Sequence, residues 1–309
     1  MPTTHAYTLP SDPASGNEDW YLVSEGLVIV LDGATIRTDT GCIHGLRWYV
    51  HQLGLGIATA AADHDRELPS ALESAISRVN GLHADTCDLT HPGTPSAAAG
   101  IVRYHGDRAE WAVLGDITVM VDTTSSGLTV TCDDRVSHTA PAERRECDRH
   151  LIGTPEKMRA ILAMKQIELA SRNRDGGYWI ASTMPSAAEH AHTGSAPLAE
   201  IRRIAVCSDG AMRALDMTSI NTAAAVMHVL TSAGPRMLID QVRAAENRDP
   251  LGKRHPRNKA TDDATALLVD FTQESPPAAT SDGESRATLA AMMNRPVFGA
   301  SPTRDGRTL

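Results

Sequence analysis

Short apolar runs rich in Val and Ile recur along the chain with turn residues between them. They predict strands over 27–31 (LVIVL), 98–104 (AAGIVRY), 110–115 (EWAVLG), 117–121 (ITVMV), 128–132 (LTVTC), 178–182 (YWIAS), 204–208 (IAVCS) and 265–271 (TALLVDF). Helical spacing is distinct from this. In LPSALESAISRVNGL, Leu68, Leu72, Ile76 and Val79 fall on one face at intervals of three and four. A second helix is predicted in TPEKMRAILAMKQIELASR, with Thr154 as N-cap, Pro155 at the first helical position, and Met158, Ile161 and Leu162 turned inward. Two more fit TAAAVMHVLTSAG and PRMLIDQVRAAEN. Several consecutive strands precede most of the helices, so the order is not the strand-helix alternation of a doubly wound parallel sheet. An α+β sandwich fits better.

Composition narrows the function. The 309 residues are 41% hydrophobic and 22% charged, enough apolar content for a sizeable core. With 29 Lys and Arg against 38 Asp and Glu, the formal charge of -9 has the wrong sign for gripping phosphate backbones over a wide surface, so nucleic acid is not the expected partner. The first residues, MPTTHAYTLPSDPASGNED, carry no basic region followed by an apolar run, and no stretch of 18 apolar residues occurs; a cytoplasmic location without membrane contact is expected. Cys42, Cys87, Cys132, Cys147 and Cys207 lack C-x-x-C spacing, which suggests neither a thiolate zinc site nor a disulfide framework. The segment from Gln273 is rich in Pro, Ser, Gly and Thr. The expected organisation is a flexible N-terminal segment over 1–15, a folded domain over 16–272 and a mobile tail over 273–309.

Aspartates sit at or beside predicted strand ends in four places: Asp32 after VIVL, Asp116 in VLGDITV, Asp209 after AVCS, and Asp262-Asp263 before ATALLV. Any one of them is an ordinary turn residue, because Asp caps its own backbone. Together they can converge on one sheet edge, where like charges repel unless a cation neutralises them. An oxygen-only ligand set selects hard ions such as Mg²⁺ or Mn²⁺.

Taken in order, GNEDWYLV, VLDGAT, GTPSAAAGIVRY, VLGDITV, VCSDGAM and TDDATALLV resemble the successive motifs of the metal-dependent protein phosphatases of type 2C, over roughly residues 16–271. The resemblance implies an α-β-β-α four-layer sandwich with two central antiparallel sheets and a site for two divalent cations, Mn²⁺ or Mg²⁺, at one end. It implies that Asp32 bridges both ions, that Gly33 offers its carbonyl to one, and that Asp209 and Asp262 hold the other. Glu18 and Asp19 match the acidic pair that orders water there, and Asp116 matches a ligand of a third, weaker ion. Asp263 stands where the family often has Asn, one shell out. The implied reaction is hydrolysis of phosphoserine or phosphothreonine in proteins by a hydroxide bridging the ions. Alternatives are a small phosphorylated metabolite as substrate, and a catalytically weak relative that binds phosphoproteins.

The chain departs from the pattern at several positions. Ala34 replaces the His that many members use to protonate the leaving group, and His44 is a candidate substitute. Ala14 stands where an Arg usually binds phosphate, and Arg37 is the candidate for that role. Arg213 replaces an Asp of the third-metal site, which predicts a two-metal centre. The region GGYWIASTMPSAAEHAHTGSAP corresponds to the family's variable flap, where Tyr178, Trp179, His190 and His192 are open to substrate contact. A haloacid-dehalogenase-like reading fails, because its nucleophilic Asp would fall at Val30. Oligomeric state is left open.

Overall fold

The computed structural model describes residues 2–14 and 16–272. The order is β1 (Thr3–Leu9), β2 (Asp19–Ser24), β3 (Leu27–Gly33), α1 (Gly45–Ala61), α2 (Leu68–His83), β4 (Ala97–His105), β5 (Arg108–Leu114), β6 (Thr118–Thr123) and β7 (Gly127–Thr131). There follow α3 (Arg135–His138), α4 (Pro141–Asp148), α5 (Pro155–Ser171), β8 (His192–Pro197), β9 (Ile201–Cys207), α6 (Asp209–Met212), α7 (Ala214–Met217), α8 (Ala223–Arg248) and β10 (Ala264–Asp270). Among the described residues the strands form two five-stranded antiparallel sheets, ordered β1-β10-β9-β6-β7 and β2-β3-β4-β5-β8.

Strand alternation builds the layers. Leu27, Ile29 and Leu31 of β3 pack on α1 and α2, whereas Val28 and Val30 face the other sheet. In β10, Leu267 and Val269 enter the space between the sheets, and Ala266 and Leu268 pack toward α8. A strand covered on both faces reads as a continuous apolar run, which is why LVIVL and TALLV lack polar alternation. The layers are helices, sheet, sheet, helix, as expected for the α-β-β-α sandwich.

Several local expectations change. Residues 3–9, assigned to a flexible N-terminal segment, form an edge strand paired with β10 from Thr3↔Asp270 to Leu9↔Ala264. Its Thr, His and Tyr positions supply backbone pairing with little core, so no apolar run marks it. Residues 178–182 are not a strand: they touch the sheet through one bridge, Ala97↔Ala181, and Trp179 is buried in the core. Helix α5 has its Thr154 cap, accepting from the Lys157 amide, but Met158 and Leu162 are exposed. Its inner face carries Lys157, Ile161, Met164 and Glu168, two of them charged, so a count of apolar residues misplaces the helical phase. The last two predicted helices are both present, merged as α8 across Gly234, whose φ of 85° turns the chain before Pro235. The tail predicted over 273–309 lies outside the described residues. No helix among the described residues is long and apolar enough to cross a membrane.

Candidate metal centre

The predicted aspartates arrive at one end of the two sheets because antiparallel pairing brings alternate strand ends together. Asp19 opens β2 directly opposite Asp32 near the end of β3. Asp116 follows Gly115, whose φ of 83° turns the chain from β5 into β6. Asp209 begins α6 immediately after β9, and Asp262 precedes β10. The Ser208-Asp209-Gly210 turn lies so close to the start of β10 that a Cβ on Gly210 would sit 1.9 Å from the Asp263 carbonyl oxygen. Glycine is required there by contact.

Asp32, Gly33, Asp116, Asp209 and Asp262 all line one cleft of about 620 Å³. The Asp32 and Asp209 carboxyls are within hydrogen-bonding reach of each other. Burial, followed by the charges of Asp19, Asp209, Asp116 and Asp262, holds the Asp32 carboxyl well above the usual range. Asp209 is raised by burial and then by Asp262. Asp116 is pushed up to about 7 by burial and by Asp209.

Glu18 and Asp19 stand behind this group. The Glu18 carboxylate accepts from Thr35 Oγ1 at 2.5 Å. Asp19 Oδ2 accepts from Ser208 Oγ at 2.9 Å and Thr265 Oγ1 at 2.7 Å, while Oδ1 is buried with no hydrogen-bond partner among the described residues. Burial, partly offset by those two hydroxyls, pushes Asp19 up to about 8. Asp263 accepts from the backbone amides of Ser11 at 2.5 Å and Glu18 at 2.6 Å, so it ties the N-terminal segment to the site from outside the cleft.

These residues fit a hard cation, with one exception. Asp32, Asp116 and Asp209 form an acceptor-only set whose mutual repulsion a divalent ion relieves, and the orphaned Asp19 oxygen faces the same need. Asp262 is already neutralised by protein cations. Its Oδ2 accepts from Arg213 Nη2 at 2.7 Å, and its Oδ1 accepts from Lys259 Nζ at 2.5 Å. Arg213 is itself anchored on Glu246 at 2.6 Å. Lys259 precedes Asp262 by three residues, a spacing that by itself does not single it out as a partner of a site carboxylate.

The cleft is lined by six cationic side chains: Arg37, Arg144, Lys165, Arg213, Arg257 and Lys259. Arg144 and Lys165 pair with Glu168, and Arg257 pairs with Asp249. Arg37 alone has no hydrogen bond or ion pair to the described residues, which leaves its guanidinium available to an anion. Glu168, inward on α5, was not read from the sequence. Its signal was the i, i+3 spacing to Lys165, and that occurs on most solvated helices. Tyr178 lines the cleft, but Trp179 is stacked on His190 with ring centroids 3.4 Å apart and is 9% exposed, so it packs rather than grips. His192 opens β8, an edge strand on β5. His44, the candidate proton donor, lies outside the cleft lining, stacked on Trp48 at 4.2 Å with Nε2 on Thr86 Oγ1 at 3.2 Å.

No protein-family model matches the chain, and a search of curated proteins finds no match. Solved structures do match. A bacterial serine phosphatase superposes with a TM-score of 0.53 at 12% identity, covering 89% of this chain and 100% of that one. The PPM Ser-Thr phosphatase MsPP from Mycobacterium smegmatis, in complex with cacodylate, gives a TM-score of 0.50 at 17% identity over 87% and 97% of the two chains. A C. elegans sex determining protein gives 0.50 at 11% identity, over 87% of this chain and 64% of that one. With two five-stranded antiparallel sheets between helical layers and carboxylates gathered at one end, the chain has the fold of the PPM-type Ser/Thr phosphatases.

Proposed function

We propose that the chain is a metal-dependent phosphomonoesterase acting on phosphoserine or phosphothreonine in proteins. The observation that carries this reading is the group of Asp32, Asp116 and Asp209 in one cleft with Arg37, which has no partner among the described residues. Two divalent cations, Mn²⁺ or Mg²⁺, would be held by Asp32, Asp209, Asp116 and the Gly33 carbonyl, with Asp262 joining if its protein partners give way. When bound, they supply the positive charge that polarises phosphoryl oxygens and acidifies water.

The chain's own groups orient the reactants. Strand β3, buried on both faces, holds Asp32 to the tolerance a shared ligand needs. Thr35 fixes Glu18, and Ser208 with Thr265 fixes Asp19, so Asp19 Oδ1 is the oxygen left to accept a hydrogen bond from water. Arg37 at the cleft wall receives phosphate oxygens bidentately and sets the distance of the ester from the carboxylates. With Ala34 in place of a His, the leaving alkoxide takes its proton from solvent-borne water.

A second reading has a specific observation behind it. The Arg213 and Lys259 clamp on Asp262, together with Ala34, favours a catalytically weak relative that binds phosphoproteins. Hydrolysis of para-nitrophenyl phosphate by metal-stripped protein separates the two. Activity restored by Mn²⁺ or Mg²⁺ and abolished by both Asp32→Ala and Asp209→Ala supports the enzyme. No turnover, with calorimetry still showing the ions bound, supports the binding protein. Phosphopeptides against small phosphorylated metabolites then define the substrate.

A further inference from the structure

Away from the acidic cleft, the loop after β3 and the end of α2 bring two thiols and an imidazole together. Cys87 Sγ lies 3.3 Å from Cys42 Sγ, and Cys42 Sγ lies 3.6 Å from His83 Nδ1. One ligand atom from each of the three residues falls within 4.8 Å of the others. His83 is 1% exposed, and its other ring nitrogen has no partner among the described residues. His83 and Cys87 are four apart and remain on one face because the turn continues past the helix, with the Cys87 amide donating to the His83 carbonyl at 2.9 Å. The absence of C-x-x-C spacing, which argued against a thiolate site, is overtaken by this geometry: the third member comes from 41 residues upstream.

We propose that Cys42, His83 and Cys87 bind one Zn²⁺, which fastens the loop at 34–44 to the end of α2. In a tetrahedral site with zinc-sulfur bonds of about 2.3 Å and zinc-nitrogen bonds of about 2.0 Å, the sulfur-sulfur edge is about 3.8 Å and the sulfur-nitrogen edge about 3.5 Å. The observed 3.6 Å matches the second edge, and the thiols need to part by about half an ångström to meet the first. A disulfide of about 2.05 Å demands more than twice that movement, in the opposite direction.

The two thiols differ: burial holds the Cys42 thiol above its ordinary range, whereas the Cys87 thiol, against a burial effect that raises it, is lowered by its contact with Cys42 and by nearby backbone amides. Soft sulfur and imidazole donors select Zn²⁺, whereas the oxygen-only cleft selects Mg²⁺ or Mn²⁺, so the two sites sort their ions by chemistry. The fourth position is left to water on the exposed side. The loop is already joined to this region by the Asp88 amide on the Gly41 carbonyl at 2.9 Å. The ion adds a second anchor to the segment that carries Arg37, and its existence does not depend on the proposed phosphatase activity.

Cobalt spectroscopy of the reduced full-length chain tests this. Co²⁺ is expected to give an intense sulfur-to-cobalt charge-transfer band that saturates at one equivalent, is bleached by one equivalent of Zn²⁺, and is lost in Cys42→Ser/Cys87→Ser. An oxygen-only cleft gives no such band. His83→Gln is expected to weaken Co²⁺ binding at least tenfold. Iodoacetamide labelling of the wild type, mapped by mass spectrometry, covers the case of a variant that does not fold: Zn²⁺ is expected to protect Cys42 and Cys87 together, whereas Mg²⁺, which the oxygen-only cleft accepts, is expected to leave both labelled. The absence of the band in folded reduced protein, its survival in the double variant, or equal labelling with and without Zn²⁺ overturns the site. So does a Cys42–Cys87 disulfide in protein that has no zinc affinity after reduction.

Discussion

Removing the ammonium of Lys259 is expected to tighten divalent-cation binding in the acidic cleft. Lys259 Nζ donates to Asp262 Oδ1 at 2.5 Å, and a cation that uses that oxygen must displace it. A hydrogen bond between charged groups contributes about 1.5–3 kcal/mol. The Lys259 side chain is 27% exposed and that of Asp262 12%, so solvent screening places the effect at the lower end, near 1.5 kcal/mol. At about 1.4 kcal/mol per decade, the expected gain is roughly tenfold in Kd. Lys259→Met keeps the apolar stem and deletes only the charge. Arg213 is the poorer choice, because it also pairs with Glu246, whose side chain is fully buried, and removing it unbalances a second charge. The assay is isothermal titration of Mn²⁺ into metal-stripped wild type and Lys259→Met. An unchanged or weaker affinity in the variant would show that Asp262 is not reached by the ion, and the clamp would then be a permanent structural feature.

Three further outcomes follow from the same geometry. Asp19 and Asp116 have carboxyls pushed up to about 8 and about 7, so the native state binds more protons than the unfolded chain between the ordinary carboxylate range and those values; the metal-free protein is expected to lose stability as pH rises from about 4 to 8. Urea unfolding of stripped protein checks this, with Asp116→Asn expected to stabilise by a few kcal/mol at pH 8 and with flat stability across the range as the contrary result. Arg37→Ala is expected to raise KM for a phosphorylated substrate by about tenfold or more with little change in thermal midpoint, because its guanidinium holds no partner among the described residues, and an unchanged KM removes it from the site. Gly210→Ala is expected to lower the melting temperature and weaken metal binding together, since its Cβ meets the Asp263 carbonyl at 1.9 Å; a neutral melting curve contradicts the contact.

Physical locality decides which features were legible in the sequence. Asp32, Asp116, Asp209 and Asp262 were visible because each stands at or beside the end of a strand whose apolar run is its own signal, and antiparallel pairing brings such ends together; Asp19, opposite Asp32, was read only through the family resemblance, no strand being predicted over β2. Helix α1 was not read, because Gly54 and Gly56 lower helical propensity; yet both are demanded by contact, with a Cβ on Gly54 falling 2.4 Å from Trp20 and one on Gly56 3.1 Å from Ala75. Close packing between elements thus erased the local signal of one of them. The same holds for charge. Arg213 could be flagged from its place after Ser208-Asp209-Gly210, and Lys259 stands three residues before Asp262, but that short spacing alone does not show that Asp262 is shared with a guanidinium 49 residues upstream. Cys42 and Cys87 are 45 residues apart, and only the packing of the loop at 34–44 on the end of α2 makes them neighbours. Backbone elements that a strand or helix carries within itself are encoded over a few residues. Pairings between loops are encoded in the distance between those elements, and that distance is a property of the assembled sandwich. The Arg213 contact with Asp262 and the thiol-imidazole cluster both belong to the second kind.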